Sequence, residues 1–255
     1  MELDFFDCNV ALGLPMVRPA TQHGAAPATA SALLAAMDRA GVRRALVWHV
    51  AQHNSHPITG NQLLAAEIAG HERLAGCWAI LPNTCGELGD LDAFFAAAYR
   101  AGVRALRAFP GINRYLLRRE AVGEILDRMV AGHWPLILRV PADVGWEQVY
   151  DLMAATPDLT LVLASMGVWG SDRLFRPLLD RYPNVCIETG GHIVDGGIED
   201  VVARYGAGRL LFGSGFPDQY LGAMMLALAH AEIREADKRA IAGGNLDRLL
   251  AEVRP

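Results

Sequence analysis

An arginine that ends an apolar run is the first chemical signal in this chain. Leu136-Ile137-Leu138-Arg139 puts a guanidinium inside strand-like sequence, where an unpaired charge is very costly and calls for a counter-charge or an anionic ligand. Guanidinium presents a planar donor fork, so Arg139 is a candidate carboxylate clamp, with a structural ion pair to Glu188 as the competing assignment. Arg107 ends a second run and reads the same way, unless Arg104 and Arg107 both alternate outward. His49, His53 and His56 cluster after a third run. They suit a general acid/base or a metal site of two or three imidazoles, against the plainer reading of loop histidines. His49 is favoured among them because it lies at the run's end. Glu188 ends Val185-Cys186-Ile187, and His192 follows in Thr189-Gly190-Gly191-His192. A carboxylate there serves either as a base or as the partner of Arg139.

Weaker signals surround these. Asp218, after Pro217, is an acid or a helix N-cap. Cys85 begins a helical pattern whose dipole favours thiolate, yet no histidine lies near it in sequence, so it reads as a bystander. Trp48, Trp78 and Trp169 lie near run ends, as a wall for an aromatic or alicyclic substrate or as packing. Lys238 is the one lysine among 23 basic residues and sits in the last helical stretch, so Schiff-base chemistry lacks an amine on a core strand.

The elements that must hold these groups alternate along the chain. Strands are predicted at 3–9, 44–49, 74–81, 103–109, 135–140, 159–165, 185–189 and 210–214, each an apolar run of the kind buried on both faces of a parallel sheet. Helical patterns fall between them, among them 30–40, 61–70, 91–101 and 120–132, with Gly41, Gly102 and Gly132 as C-terminal stops. Asp172 and Thr84 read as N-caps, Thr84 with capping-box spacing to Glu87. Eight units of roughly 30 residues match an α/β (β/α)8 TIM barrel, one domain over 1–255. A doubly wound sheet would show a glycine fingerprint after its first strand, and Asn9-Val10-Ala11-Leu12-Gly13 is not one. The long segment 14–29 with Pro15, Pro19 and Pro27 is a lid or a surface loop.

Composition narrows the function classes. The chain has 255 residues, 52% hydrophobic and 20% charged, which excludes disorder. A net charge of −5 without a basic run argues against nucleic acid as a partner. No apolar stretch approaches the ~18 residues of a membrane span, and Met1-Glu2-Leu3-Asp4 is not a signal n-region. Cys8, Cys77, Cys85 and Cys186 form no CxxC pair, as expected of a reduced, cytoplasmic protein.

Several segments, in order and spacing, resemble the amidohydrolase superfamily, in its amidohydrolase-related branch of decarboxylases and lactone hydrolases. They are Phe6-Asp7-Cys8-Asn9-Val10-Ala11-Leu12-Gly13; Asn61-Gln62 through Arg73-Leu74-Ala75-Gly76 and Ala79-Ile80-Leu81-Pro82; Pro157-Asp158-Leu159 with Leu163-Ala164-Ser165-Met166-Gly167; Arg209 through Pro217; and Gly244-Asn245. The resemblance implies a metal-dependent-hydrolase-like barrel whose ligands are an HxH pair after strand 1, a His on each of strands 5 and 6, and an Asp on strand 8. Here those positions hold Asn9, Ala11, Arg139, Ser165 and Gly215. Ala and Gly offer no side-chain ligand and Arg adds positive charge, so no metal and no other cofactor is expected.

The leading expectation is a metal-independent enzyme of this fold that hydrolyses a small carboxylate-bearing lactone or ester, or isomerises a small organic acid. Arg139 and Arg107 would hold the acid group, and His49 or Glu188 would move the proton. Asn9, Ser165, His192 and Ser214 would orient substrate or water; no GxSxG elbow supports a nucleophilic serine. One alternative is a catalytically inactive carboxylate-binding pseudoenzyme. Another is a phosphate-binding barrel, suggested by Gly190-Gly191 and Gly213-Ser214-Gly215. The resemblance also suggests a homodimer.

Overall fold

Buried apolar runs become eight parallel strands in the computed structural model, which describes residues 3–14, 28–166, 171–191 and 194–255. They are β1 (Phe5–Leu12), β2 (Val42–His49), β3 (Leu74–Ala79), β4 (Val103–Arg107), β5 (Leu136–Arg139), β6 (Leu161–Ala164), β7 (Val185–Glu188) and β8 (Leu210–Leu211), paired in sequence order. Backbone bonds from Cys8 N to Phe212 O (2.9 Å) and from Ala11 N to Phe216 O (2.8 Å) join the last unit to the first. The fold is a TIM barrel, as the strand–helix alternation predicts.

Strand alternation sorts side chains into two clusters. Cys8, Trp48, Cys77, Ala79, Ala105, Ile137, Val162, Ala164, Cys186 and Leu211 fill the barrel lumen. Their neighbours Val47, Leu106, Leu136, Leu138, Leu163, Ile187 and Leu210 face the surrounding helices. The period of two therefore carries Arg107, Arg139 and Glu188 onto the lumen side at the C-terminal ends of their strands. Arg104 and Arg107 lie on opposite faces, so the two do not both alternate outward; Arg104 bonds the Tyr99 carbonyl outside (2.8 Å). Between the pairs Asp7↔Ala45 and Val10↔Val47, β1 has one residue more than β2. This bulge re-aims Asn9 toward the mouth.

The helices of the described residues are α1 (Ala30–Ala40), α2 (Ala51–Asn54), α3 (Pro57–Ile68), α4 (Leu91–Arg100), α5 (Arg119–Ala131), α6 (Trp146–Ala155), α7 (Asp172–Arg181), α8 (Gly197–Tyr205), α9 (Leu221–His230), α10 (Glu235–Arg239) and α11 (Asn245–Ala251). Thr29 caps α1 by accepting from Ala32 N, and left-handed Gly41 (φ 78°) ends it. Two expected caps are corrected. Thr84 lies in a short 3-10 turn (Asn83–Cys85) and Asp90 caps α4, while Ser171 takes the N-cap position before Asp172. Glu87 meets His56, the N-cap of α3 (3.1 Å), and not Thr84. At the other end of the chain, Asn245 Nδ2 donates to the carbonyls of Ala207 (2.8 Å) and Leu210 (2.9 Å), pinning α11 beneath β8. Among the described residues no helix is long and apolar enough to cross a membrane.

Candidate active site at the barrel mouth

Arg107 is the centre of the mouth. It is 1% exposed, its Nη2 donates to Asn9 Oδ1 (2.6 Å), and its Nε and Nη1 have no acceptor. Its guanidinium carbon lies 4.9 Å from the Trp48 ring centroid, and the Cys77 thiol lies beside it. Burial lowers its pKa from the ordinary arginine value. A buried guanidinium with unused donors is costly to keep unless an acceptor reaches it.

Asn9 links this cation to a carboxylate. Its Nδ2 donates to Ser165 Oγ (3.1 Å) and reaches Glu188 Oε2 (3.5 Å). Glu188 also accepts from Ser165 N (2.8 Å) and from Gly190 N (2.7 Å). Ser165 takes a left-handed backbone (φ 54°), unusual outside glycine. Glycine surrounds the carboxylate because nothing larger fits: a Cβ on Gly190 or Gly213 would overlap Glu188 Oε1. Burial raises the Glu188 pKa to about 6, against the hydrogen bonds from Ser165 and Gly190 and the charge of Arg107, with the charge of Asp7 adding to the rise. That places its titration close to neutrality.

Asp7 lies under this group. Its Oδ1 accepts from Asn9 N (3.0 Å) and Ser214 N (3.0 Å), while its buried Oδ2 has no partner. Burial raises its pKa too, opposed by Ser214 and Asn9. Ser214 Oγ accepts from Phe216 N (3.0 Å), so this serine ties the strand 8 turn to β1. These bonds correct the phosphate expectation: the amides of Gly190 and Ser214 already serve carboxylates, and Gly213 N donates to Thr189 Oγ1 (3.3 Å).

Arg139 is drawn to the other side of Arg107. Its Nε and Nη2 bond Asp143 Oδ2 (2.7 Å) and Oδ1 (2.6 Å), so the partner is Asp143 and not Glu188. The Asp143 side chain is 1% exposed and also meets His53 Nε2 at 3.5 Å. Burial pushes the Asp143 carboxyl up, and the bonds from Arg139 and His53 outweigh it, leaving its pKa below the ordinary value. Arg139 also stacks at 5.5 Å from Trp48. That ring is buried between two guanidiniums and is not a substrate wall. Trp78 packs on Phe94, and Trp169 and His192 lie outside the described residues, as does most of the 14–29 segment.

The three histidines part company. His49 Nδ1 accepts from Ala51 N (3.0 Å), its ring lies against Gly13, and burial lowers its pKa. His56 caps α3 and meets Glu87. Only His53 enters the mouth network, so the three do not converge as a metal site. A buried amide pair fixes α2 beneath it. Gln52 Nε2 donates to Asn61 Oδ1 (2.9 Å) and the Cys77 carbonyl (3.0 Å), and Asn61 brackets Ala79 with both amide atoms.

The structure therefore brings Asn9, Arg107, Ser165 and Glu188 together, sets Arg139 across from them, and leaves His49 aside. Asp7, His53 and Asp143 complete the cluster. The i, i+4 spacing of Arg139 and Asp143, and a carboxylate inside Phe5-Phe6-Asp7-Cys8, were the signals available for two of them.

The amidohydrolase family model matches residues 17–251. No curated protein matches the sequence. Among solved structures, the chain is similar to a probable 2-pyrone-4,6-dicarboxylic acid hydrolase from Acinetobacter baumannii with citric acid bound (TM-score 0.74, 14% identity, 98% of this chain and 100% of that one). It is also similar to 5-carboxyvanillate decarboxylase from Sphingomonas paucimobilis (0.70, 17%, 99% and 100%). A third is dihydroxybenzoic acid decarboxylase from Polaromonas sp. with bound manganese and 2-nitroresorcinol (0.72, 16%, 99% and 98%). The last of these structures holds manganese. Among the described residues of this chain, no group of three or more His, Cys, Asp or Glu is arranged to hold an ion, and the mouth is built around a guanidinium.

Proposed function

The chain belongs to the amidohydrolase family, and we propose that it is a metal-independent hydrolase that opens a lactone or related ester of a small organic acid. The observation that carries this reading is Arg107, buried with Nε and Nη1 unpartnered and joined through Asn9 to Glu188. A substrate carboxylate is the acceptor those donors lack. Of the three solved structures named above, one is a probable hydrolase and two are decarboxylases, each named for a carboxylated ring, which agrees with an acid-bearing substrate.

Glu188, ionised above a pKa of about 6, takes a proton from water as the water oxygen bonds to the substrate carbonyl carbon. Asn9 and Ser165 hold the water or the carbonyl by hydrogen bonds. Metal independence rests on donor chemistry, since amide, hydroxyl and guanidinium groups occupy the mouth where imidazoles would be needed.

Hydrolysis of a panel of carboxylated lactones by chelator-treated protein tests the reading. Full activity without added metal is expected. Dependence on added Zn²⁺ or Mn²⁺, release of CO₂ in place of ring opening, or saturable binding without turnover would overturn it.

A further inference from the structure

The mouth contains two proton-handling groups on either side of one buried cation. On one side Arg107 reaches Glu188 through Asn9. On the other, its charge acts on Asp143, which is held by Arg139 and faces His53. His53 comes from α2, which the Gln52–Asn61 pair anchors to β3. Its ring stands edge-on to Phe109 (5.4 Å), and Phe109 packs on Trp48 (5.5 Å), beside both guanidiniums.

Both imidazole nitrogens face oxygen. Nε2 meets Asp143, and Nδ1 lies 2.6 Å from Oδ1 of exposed Asn54. The Asp143 carboxylate at Nε2 favours the protonated ring, and its hydrogen bond raises the His53 pKa against partial burial. Arg139 bonds both Asp143 oxygens, which keeps that carboxylate ionised and oriented.

Resting on the hydrolase reading above, we propose that His53 is the acid that protonates the leaving oxygen, with Asp143 and Arg139 as its positioning residues. The water oxygen bonds to the carbonyl carbon while its proton passes to Glu188. The tetrahedral intermediate then collapses, the carbon–oxygen ester bond breaks, and the leaving oxygen keeps the electron pair. It takes the proton from His53 Nδ1, displacing the Asn54 oxygen. Release of the Glu188 proton and reprotonation of His53 from solvent restore the site. The sum is lactone plus water giving hydroxy acid.

Charge sets the working range. Glu188, facing Asp7, Cys8 and Arg107, must be ionised, so activity falls as pH drops through about 6. His53 faces Asp143, which raises its pKa, and Arg139, which opposes the rise; it must be protonated, so activity falls as pH climbs above the ordinary histidine value.

The test uses full-length wild type, His53→Gln and Asp143→Asn, with lactone hydrolysis against pH and an NMR titration of the His53 ring. Gln keeps a group at the Nε2 position to meet Asp143 and cannot carry the proton. Expected are a bell-shaped wild-type profile, a kcat loss of about 100-fold or more in His53→Gln, and an alkaline limb and NMR midpoint shifted to lower pH in Asp143→Asn. An active wild type whose His53→Gln variant keeps its kcat overturns the inference and leaves the hydrolase reading standing. A His53 midpoint at or below its ordinary value, unmoved in Asp143→Asn, overturns it without any activity measurement. A wild type that hydrolyses no lactone overturns both.

Discussion

Replacing Glu188 by Gln isolates the energetic cost of keeping a base in this mouth. The carboxyl pKa stands near 6 in the folded chain against an ordinary 4.5. A raised folded value means that the native state holds the proton more tightly than the unfolded chain, so native stability falls as pH rises between the two values. The difference of about 1.5 units corresponds to roughly 2 kcal/mol. Gln does not titrate, but it cannot accept from both Ser165 N and Gly190 N as the carboxylate does. One backbone N–H is left facing an amide NH₂, an offset of about 1–3 kcal/mol that does not vary with pH. The stability of the wild type minus that of Glu188→Gln should therefore decrease by about 2 kcal/mol between pH 4 and pH 7, whatever its starting value. Urea denaturation of both proteins at intervals across that range measures it. A difference that is flat, or that grows with pH, would refute the claim that burial dominates the environment of this carboxylate.

Three further substitutions follow from the same contacts. Gly213→Ala puts a Cβ onto Glu188 Oε1; the displaced carboxylate should abolish lactone hydrolysis and lower stability by about 1–3 kcal/mol in a denaturation series. Arg107→Met removes the unpartnered donors and the cation that holds the Glu188 pKa down. KM for a carboxylated substrate should rise about tenfold or more, the worth of a charge-assisted hydrogen bond, and the acidic limb of the pH profile should move upward; an unchanged KM would sink the anchoring role. Gly60→Ala forces a Cβ into the backbone of Gln52. It should cost about 1–3 kcal/mol by thermal denaturation and reduce turnover by shifting α2, whereas wild-type stability would show that the α2–α3 contact is loose.

The barrel was legible because its signal is repeated eight times and rests on burial alone. Most strands are apolar runs, and six of the eight runs overreach at their C-terminal ends, as in 103–109 against Val103–Arg107, where the chain leaves the sheet but remains buried; the first instead stops at Asn9, although β1 continues to Leu12. Alternation also explains why Arg107, Arg139 and Glu188 were visible: each is a charge in a lumen position. What stayed hidden depends on side-chain reach between units. Arg139 and Glu188 end β5 and β7, yet Asp143, one turn along the following loop, intercepts the guanidinium first. His49 has the better address at a strand end, but its ring turns back to cap Ala51 N, and His53 enters the mouth from α2 instead. Asn9 was marked by resemblance alone, because the bulge that aims it inward leaves no trace in hydrophobic pattern.

The guanidinium at the centre has a consequence that a bound cation would not. An arginine cannot dissociate, exchange or lose its charge in the working range. The protonation state of the mouth is therefore governed by the carboxylates and His53, with the cation fixed. Asp7 and Glu188 are both buried and mutually repulsive, and each has a raised pKa. Asp143 is also buried, though less deeply, and its pKa is lowered because Arg139 bonds both of its oxygens and His53 adds a further bond. The bonding partners thus leave one carboxylate able to take up a proton near neutrality and another that stays ionised to hold a histidine. Arg107 lies between them, its charge reaching both. An anionic substrate bonded to its unpartnered donors would raise the pKa of Glu188 further and strengthen it as a base at the moment of binding. The acidic limb of kcat should accordingly lie at higher pH than that of kcat/KM, because the first reports the complex and the second the free enzyme. Coincident limbs would place the substrate's charge away from Glu188 and so away from Arg107.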